Sequence, residues 1–274
     1  MAGRLEGKVA IVTGGGWNVG RAIAERFARE GAAVAICGRR AALLEETAAA
    51  IHATGGRSIA LPADVTRRAD MEGLVARTLE SFGTLDVVAA IAGGGGGHEP
   101  LDTIDPELWE HVVRINLFGT FHVFRAALPT LRAKNRGALL TCSGGGAWFP
   151  MLGVPSTAYA SAKAALCRLT DQLAVELLDT GIRVNCLQPG RVWSPWDLER
   201  IEAEERRTGR PHPERALNHP PDDAAELALF LASEESAPLT GRIVSVDDAW
   251  WRDPARVRAV SASHHACCLR RVEP

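Results

Sequence analysis

The chain opens with a short apolar run over 8–13 and a turn of three glycines, Gly14, Gly15 and Gly16. Val19, Ile23 and Phe27 then recur at every fourth position. Strand, glycine-rich turn, amphipathic helix is an order that few folds accommodate. Apolar residues four apart share one helical face, and Gly31 ends that helix as a C-terminal glycine does. The alternation continues with strand 33–37, helix 41–54, strand 57–61, helix 67–82, strand 85–92 and helix 106–131. Strand 138–142, a helix through Tyr159, strand 182–187, helix 222–232 and strand 242–246 complete it. Such alternation makes right-handed βαβ units around a parallel sheet. The predicted fold class is α/β: one doubly wound parallel sheet flanked by helices.

At 274 residues the chain is expected to form one domain over 1–249, with a tail over 250–274. Residues 193–219, rich in charge, Pro and Trp, read as irregular or locally helical. A connection this long in a compact domain is usually a lid. A net charge of −2 offers no surface for nucleic acid or membrane. No apolar run of about 18 residues is present, and the first residues lack a signal-peptide core. Six cysteines without a disulfide spacing suggest a reduced, cytoplasmic protein.

The first turn is where a pyrophosphate would sit. Glycines let backbone approach phosphate, and the helix start offers unpaired N–H groups. Gly14, Gly16 and Gly20 are the candidates, in a Rossmann-type setting. At the end of the second strand an acid would bond the ribose of NAD, whereas an arginine suits the 2′-phosphate of NADP. Cys37-Gly38-Arg39-Arg40 stands there, so NADP is favoured with NAD possible.

Tyr159 is the only tyrosine, and Lys163 is one of three lysines, with Lys8 and Lys134. On a helix this i,i+4 pair lies on one face. A phenol titrates near ~10, a neighbouring cation favours its ionised form, and the pair becomes a candidate acid–base. Asn116, within an apolar helical stretch, is expected to hydrogen-bond a specific partner. Ser143 stands after a strand and before three glycines. The glycine loop 93–97 belongs to the ligand side of the sheet, with His98 read as a loop histidine.

Taken in order, these motifs resemble the short-chain dehydrogenases/reductases over residues 5–248. Thr13 to Gly20 is similar to that family's glycine motif, Asp64-Val65 to its adenine-contacting pair, and Asn116, Ser143, Tyr159 and Lys163 to its catalytic set. Pro189-Gly190 with Val192 and Ser194 is similar to the nicotinamide-side turn, and Thr240-Gly241 to the late Thr-Gly pair. The resemblance implies hydride transfer between NADP(H) and a carbonyl or secondary alcohol. Tyr159 would be general acid/base, with Lys163 assisting it and holding the ribose. Ser143 would bond the substrate oxygen, and Asn116 would position water. Cofactor contacts are expected from Gly14, Gly16, Asn18, Val19, Gly20, Arg39, Arg40, Asp64, Val65, Ala92, Gly93, Tyr159, Lys163, Pro189, Gly190, Val192 and Ser194.

The chain departs from the family pattern at four places. Asn18 replaces the middle glycine, Ala90-Ile91 replaces two asparagines that brace the sheet, and Val246-Asp247-Asp248-Ala249 replaces Val-Asp-Gly-Gly. Ser143 and Tyr159 lie 16 positions apart, more than is typical. Asn tolerates left-handed backbone, so the first turn is expected to survive with altered pyrophosphate contacts.

Trp148, Trp193 and Trp196 are candidate substrate contacts, with Phe149 and Met151 nearby; they either line an apolar pocket or pack the lid or a subunit contact. The expected partners are a small apolar or aromatic substrate and further copies of the chain, as dimer or homotetramer. His264-His265-Ala266-Cys267-Cys268 lacks a second ligand pair, so no metal is expected. The tail is expected either to cross a subunit interface or to be disordered. Two alternatives keep the fold: an NADP(H)-binding regulatory module without turnover, and an epimerase with no net redox change.

Overall fold

In the computed structural model of the chain, residues 2–213 and 215–269 are described, Pro195 and Trp196 by their backbone alone. Alternate residues of the first strand, β1 (Val9–Thr13), bury on opposite sides: Ala10 and Val12 in one core, Ile11 in the other. Both faces of the sheet are therefore covered, as a parallel sheet requires. After α1 (Asn18–Arg29) come β2 (Ala33–Gly38), α2 (Ala41–Ala53), β3 (Arg57–Pro62), α3 (Arg68–Phe82) and β4 (Val87–Ala90). The second half runs α4 (Pro106–Val113), a π-turn over Arg114–Phe118, α5 (Gly119–Lys134), β5 (Gly137–Cys142), α6 (Thr157–Glu176) and β6 (Ile182–Gln188). It closes with α7 (Pro195–Thr208), α8 (Pro221–Ala232), β7 (Arg242–Ser245) and α9 (Pro254–Ala262).

The seven strands are parallel in the order β3-β2-β1-β4-β5-β6-β7. One layer packs Ile23 and Phe27 of α1 and Leu44 and Ile51 of α2 with Leu227 and Leu231 of α8. The other packs Leu74 of α3 and Val123 and Leu131 of α5 with Leu173 of α6. The strand order reverses between β1 and β4. Loops leaving those two strands diverge there and open a crevice at their carboxyl ends. No described helix is long and apolar enough to cross a membrane.

The helix expected over 106–131 is interrupted by the π-turn around Asn116. The segment after β6 is more regular than expected. Ser194 and Asp197 form a capping box, and α7 runs for 14 residues from it. The described part of the tail folds onto its own chain. Trp251 stacks near Phe230 with ring centroids 5.4 Å apart. Arg242 donates to the carbonyls of Ser261 (3.1 Å) and Ser263 (2.7 Å), and Ile243 N–H to that of Cys267 (2.8 Å). The outer edge of β7 is thus occupied by residues of the same chain.

At the opposite end of the sheet, buried Asp86 accepts from Val9 N–H (3.0 Å) and from the Lys134 ammonium (2.6 Å). It ties β1, β4 and the end of α5 together. Asp86→Ala leaves both donors without that carboxylate. Chemical denaturation should show a loss of about 3 kcal/mol, the low end for a broken buried pair, because Lys134 stays a quarter exposed.

Candidate functional site

The turn after β1 is built around close backbone approach. A Cβ on Gly20 would overlap the Gly14 carbonyl oxygen, and one on Gly14, at φ +71°, would come within 3.0 Å of Ala92 Cα. Asn18 takes the left-handed conformation at φ +45°, which Asn accepts at modest cost. Its Nδ2 donates to the Trp193 carbonyl at 3.4 Å, joining this turn to the segment after β6. Its Oδ1 is buried without a hydrogen-bond partner. α1 begins with no side-chain cap and no acid in its first turn. Open helix N–H groups, a glycine cradle and an orphan acceptor together fit a pyrophosphate and its ribose.

The crevice is a cleft of about 690 Å³. Gly14, Gly16, Asn18, Val19, Gly20, Arg39, Arg40, Asp64, Val65, Ala92 and Gly93 line one part of it. Ser143, Tyr159, Lys163, Pro189, Gly190 and Val192 line the other. At the Asp64 corner burial opposes ionisation. The N–H and hydroxyl of Thr66 and the Arg39 charge outweigh it and hold the carboxyl below its ordinary range.

Asn116 lies outside this wall, fully buried behind the Gly93 loop. Its Nδ2 donates to Val112 O (2.8 Å) and Gly94 O (3.0 Å), and its Oδ1 accepts from Gly94 N–H (3.3 Å). Ala92 N–H donates to Thr13 Oγ1 at 3.0 Å. Thr13 and Asn116 therefore brace the loop in the absence of asparagines at 90 and 91. Gly93 has no room for a side chain: a Cβ would lie 2.5 Å from Asn116 Oδ1 and 3.5 Å from Lys163 Nζ.

Tyr159 and Lys163 occupy successive turns of α6. The buried ammonium donates to Cys142 O at 2.8 Å and sits 5.5 Å from the Tyr159 ring centroid. The Tyr159 hydroxyl lies against Gly144, where a Cβ would overlap it. Ser143, next in the chain, donates from Oγ to Gln188 Oε1 at 2.6 Å. Tyr159, Lys163 and Ser143 are thus gathered at the end of β5. Gln188 and Gly144 were not singled out in the sequence, since nothing in their spacing announces contacts made across the fold, and Gly94 stood out only as part of the glycine loop. Trp17, which also lines the cleft, lay within the glycine motif without being singled out.

The other candidates sit elsewhere. Ser194 caps α7, accepting from Asp197 N–H and donating to Asp197 Oδ2 at 2.7 Å. Trp193 is buried, its ring edge-on to His212, so its carbonyl rather than its ring meets Asn18. Trp148 is exposed on the β5–α6 connection, and the Trp196 side chain lies outside the described residues. Neither the Trp148 nor the Trp193 ring lines the cleft. His98 joins the glycine loop to the start of α6, its Nδ1 3.0 Å from Ser156 Oγ.

The segment after β6 is closed at its base. His219 N–H donates to Arg191 O at 2.8 Å, and Trp193 N–H to Asn218 Oδ1 at 2.9 Å. The His219 ring lies between Asp223 (2.9 Å) and Asp247 (3.0 Å) and against Gly190. The hydrogen bond to Asp223 and the charge and hydrogen bond of Asp247 outweigh partial burial and raise its pKa above 6.5.

A family profile described as enoyl-(acyl carrier protein) reductase matches residues 16–248. A 2-(S)-hydroxypropyl-CoM dehydrogenase of Xanthobacter autotrophicus is 32% identical over 90% of this chain and 98% of its own. A 2,5-dichloro-2,5-cyclohexadiene-1,4-diol dehydrogenase of Sphingobium indicum is 34% identical over 91% and 98%. The crystal structure of a short-chain type dehydrogenase/reductase from Mycobacterium marinum superposes with a TM-score of 0.80 at 26% identity, covering 89% of this chain and 95% of that one.

Two outcomes are expected. Gly144→Ala should displace the Tyr159 hydroxyl and lower kcat about 100-fold, the scale of a 1 Å misplacement, with the thermal midpoint little changed. Protonated His219 stabilises the folded state most fully below its unfolded pKa of about 6.5, and that contribution disappears as pH rises through the higher folded value. The urea-midpoint gap between wild type and His219→Gln should be larger at pH 5.5 than at pH 8.5.

Proposed function

Because the chain is an oxidoreductase of the short-chain dehydrogenase/reductase family, which uses nicotinamide dinucleotides, we propose that it transfers a hydride between NADP(H) and a carbonyl/secondary-alcohol pair on an apolar or aromatic small molecule. The observation that carries this reading is the Tyr159 hydroxyl held at the Gly144 backbone beside Ser143, with the Lys163 ammonium buried next to the ring.

A bound nicotinamide supplies or accepts the hydride. Tyr159 holds the proton that passes to or from the substrate oxygen. The Lys163 cation favours the phenolate on the alcohol-oxidising side. An ammonium has three donors, and the bond to Cys142 O leaves others for a ribose hydroxyl. Ser143 turns its hydroxyl from Gln188 toward the substrate oxygen, where a donor stabilises developing charge. Both N–H donors of Asn116 are engaged by protein carbonyls; its Oδ1 keeps one lone pair for a relay water.

Two features support NADP. β2 ends without a carboxylate, in Gly38-Arg39-Arg40. α2 then starts with no side-chain cap and no acid in its first turn, so its positive end is open to an anion. An apolar substrate is supported by Phe149 (79% exposed) and Leu152 (91% exposed) on the connection between Ser143 and Tyr159. The cyclohexadiene diol in the name of the Sphingobium relative points the same way. Six free thiols, four of them buried, suit a reducing cytoplasm. The apolar groove of Phe121, Leu128, Leu169 and Leu173 on α5 and α6 suits a second copy of the chain, in a dimer or tetramer.

Tyr159→Phe should lower turnover by at least about 100-fold while fluorescence titration with NADPH stays within threefold of wild type. Wild-type turnover in that variant removes the acid–base assignment. Parallel titration with NADH tests the cofactor, and tighter binding of NADH overturns NADP.

A further inference from the structure

The two arginines after β2 face different neighbours. The Arg39 charge acts on Asp64. The Arg40 guanidinium sits 5.1 Å from the centroid of the Trp17 ring. Trp17 belongs to the first turn and Arg40 to the second, yet both line the same cleft. Among the described residues Arg40 forms no ion pair.

Helix capping does not account for Trp17. It is the N-cap residue of α1 and makes no side-chain cap bond, although Ser, Thr, Asp or Asn would do so. What the indole does provide is a flat face beside the end of β2. A guanidinium laid on such a face is attracted by the ring quadrupole. Its N–H donors lie in its own plane, so stacking leaves them available at the rim. The contact restrains a long side chain that would otherwise sample many rotamers, and it does so without a carboxylate that would compete for the donors.

We infer that Trp17 determines cofactor specificity by holding Arg40 flat at the adenosine end of the cleft, with the guanidinium edge presented to the 2′-phosphate that distinguishes NADP from NAD. The inference rests on the NADP reading above. Trp17 acts through Arg40 and is therefore a positioning residue. Planar presentation suits the paired N–H···O bonds that arginine makes to phosphate.

Calorimetric titration of the full chain with 2′,5′-ADP and with 5′-AMP isolates the 2′-phosphate from the nicotinamide and from turnover. The wild type should bind 2′,5′-ADP at least about tenfold tighter than 5′-AMP. Trp17→Ala should lose roughly threefold to tenfold of that preference, the range of a cation–π contact, with 5′-AMP affinity unchanged. Trp17→Phe should keep most of it. In an Arg40→Ala background Trp17→Ala should have no further effect, since the two act as one unit. A wild type without preference overturns the NADP reading and this inference with it. A wild type with the preference overturns the role of Trp17 alone in any of three cases: Trp17→Ala keeps the ratio, its effect adds to that of Arg40→Ala, or it weakens both ligands equally.

Discussion

The Lys163 ammonium on the Cys142 carbonyl is the contact on which the Tyr159 end of the cleft depends. A buried cation is costly unless its donors are met, and among the described residues no carboxylate pairs with this one. The carbonyl at the end of β5 meets one donor and so fixes α6 at a set height above the sheet. Tyr159, one turn earlier, is then pressed onto Gly144 and lies beside Ser143. The same ammonium lies where a Cβ on Gly93 would come into ordinary contact with it, at 3.5 Å. One hydrogen bond thus relates α6 to the ends of β4 and β5.

The loop after β4 shows how a missing element is replaced. Two asparagines that would brace it are Ala90 and Ile91 here, and the carboxamide of Asn116 grips Gly94 from behind while Thr13 holds Ala92. This is possible because the α4–α5 helix widens into a π-turn at that point, a distortion often found at functional sites. The Asn116 amide takes up the Val112 carbonyl within the widened turn. The loop is thus braced from the helix, and the cleft remains open at the reversal of strand order.

The segment after β6 is held at its base by polar contacts. The bridge between Arg191 and Asn218 and the two-carboxylate setting of His219 close the loop next to Gly190. Asn18 reaches that segment from the first glycine-rich turn. In place of the usual glycine, this side chain joins the two ends of the cleft.

Much of the site was legible because its logic is local. A glycine-rich turn between strand and amphipathic helix, a Tyr and Lys four apart on a helix, and a strand ending in Gly-Arg-Arg each express their geometry within a few residues. The capping box of Ser194 and Asp197 was equally local and went unread, hidden in a stretch dominated by charge. Trp193 shows where local reasoning stops. Sequence spacing places it on the lid, but whether its ring faces the cleft or packs on His212 depends on how the lid folds back. The tail is similar, since its partners Phe230 and Arg242 lie on elements formed elsewhere.

By itself the sequence determined the alternating elements, the parallel sheet they build and the positions of the glycine-rich turn and of the Tyr159–Lys163 pair on one helix. Those follow from side-chain periodicity and from glycine's conformational freedom, which act over a few residues. Only the tertiary structure decided that Ser143 meets Gln188, that Arg40 lies over Trp17, that Asn18 touches the Trp193 carbonyl and that the described part of the tail meets β7. These contacts join segments that only the packed sheet brings within hydrogen-bonding or stacking distance, and no local pattern encodes which distant residue will arrive there.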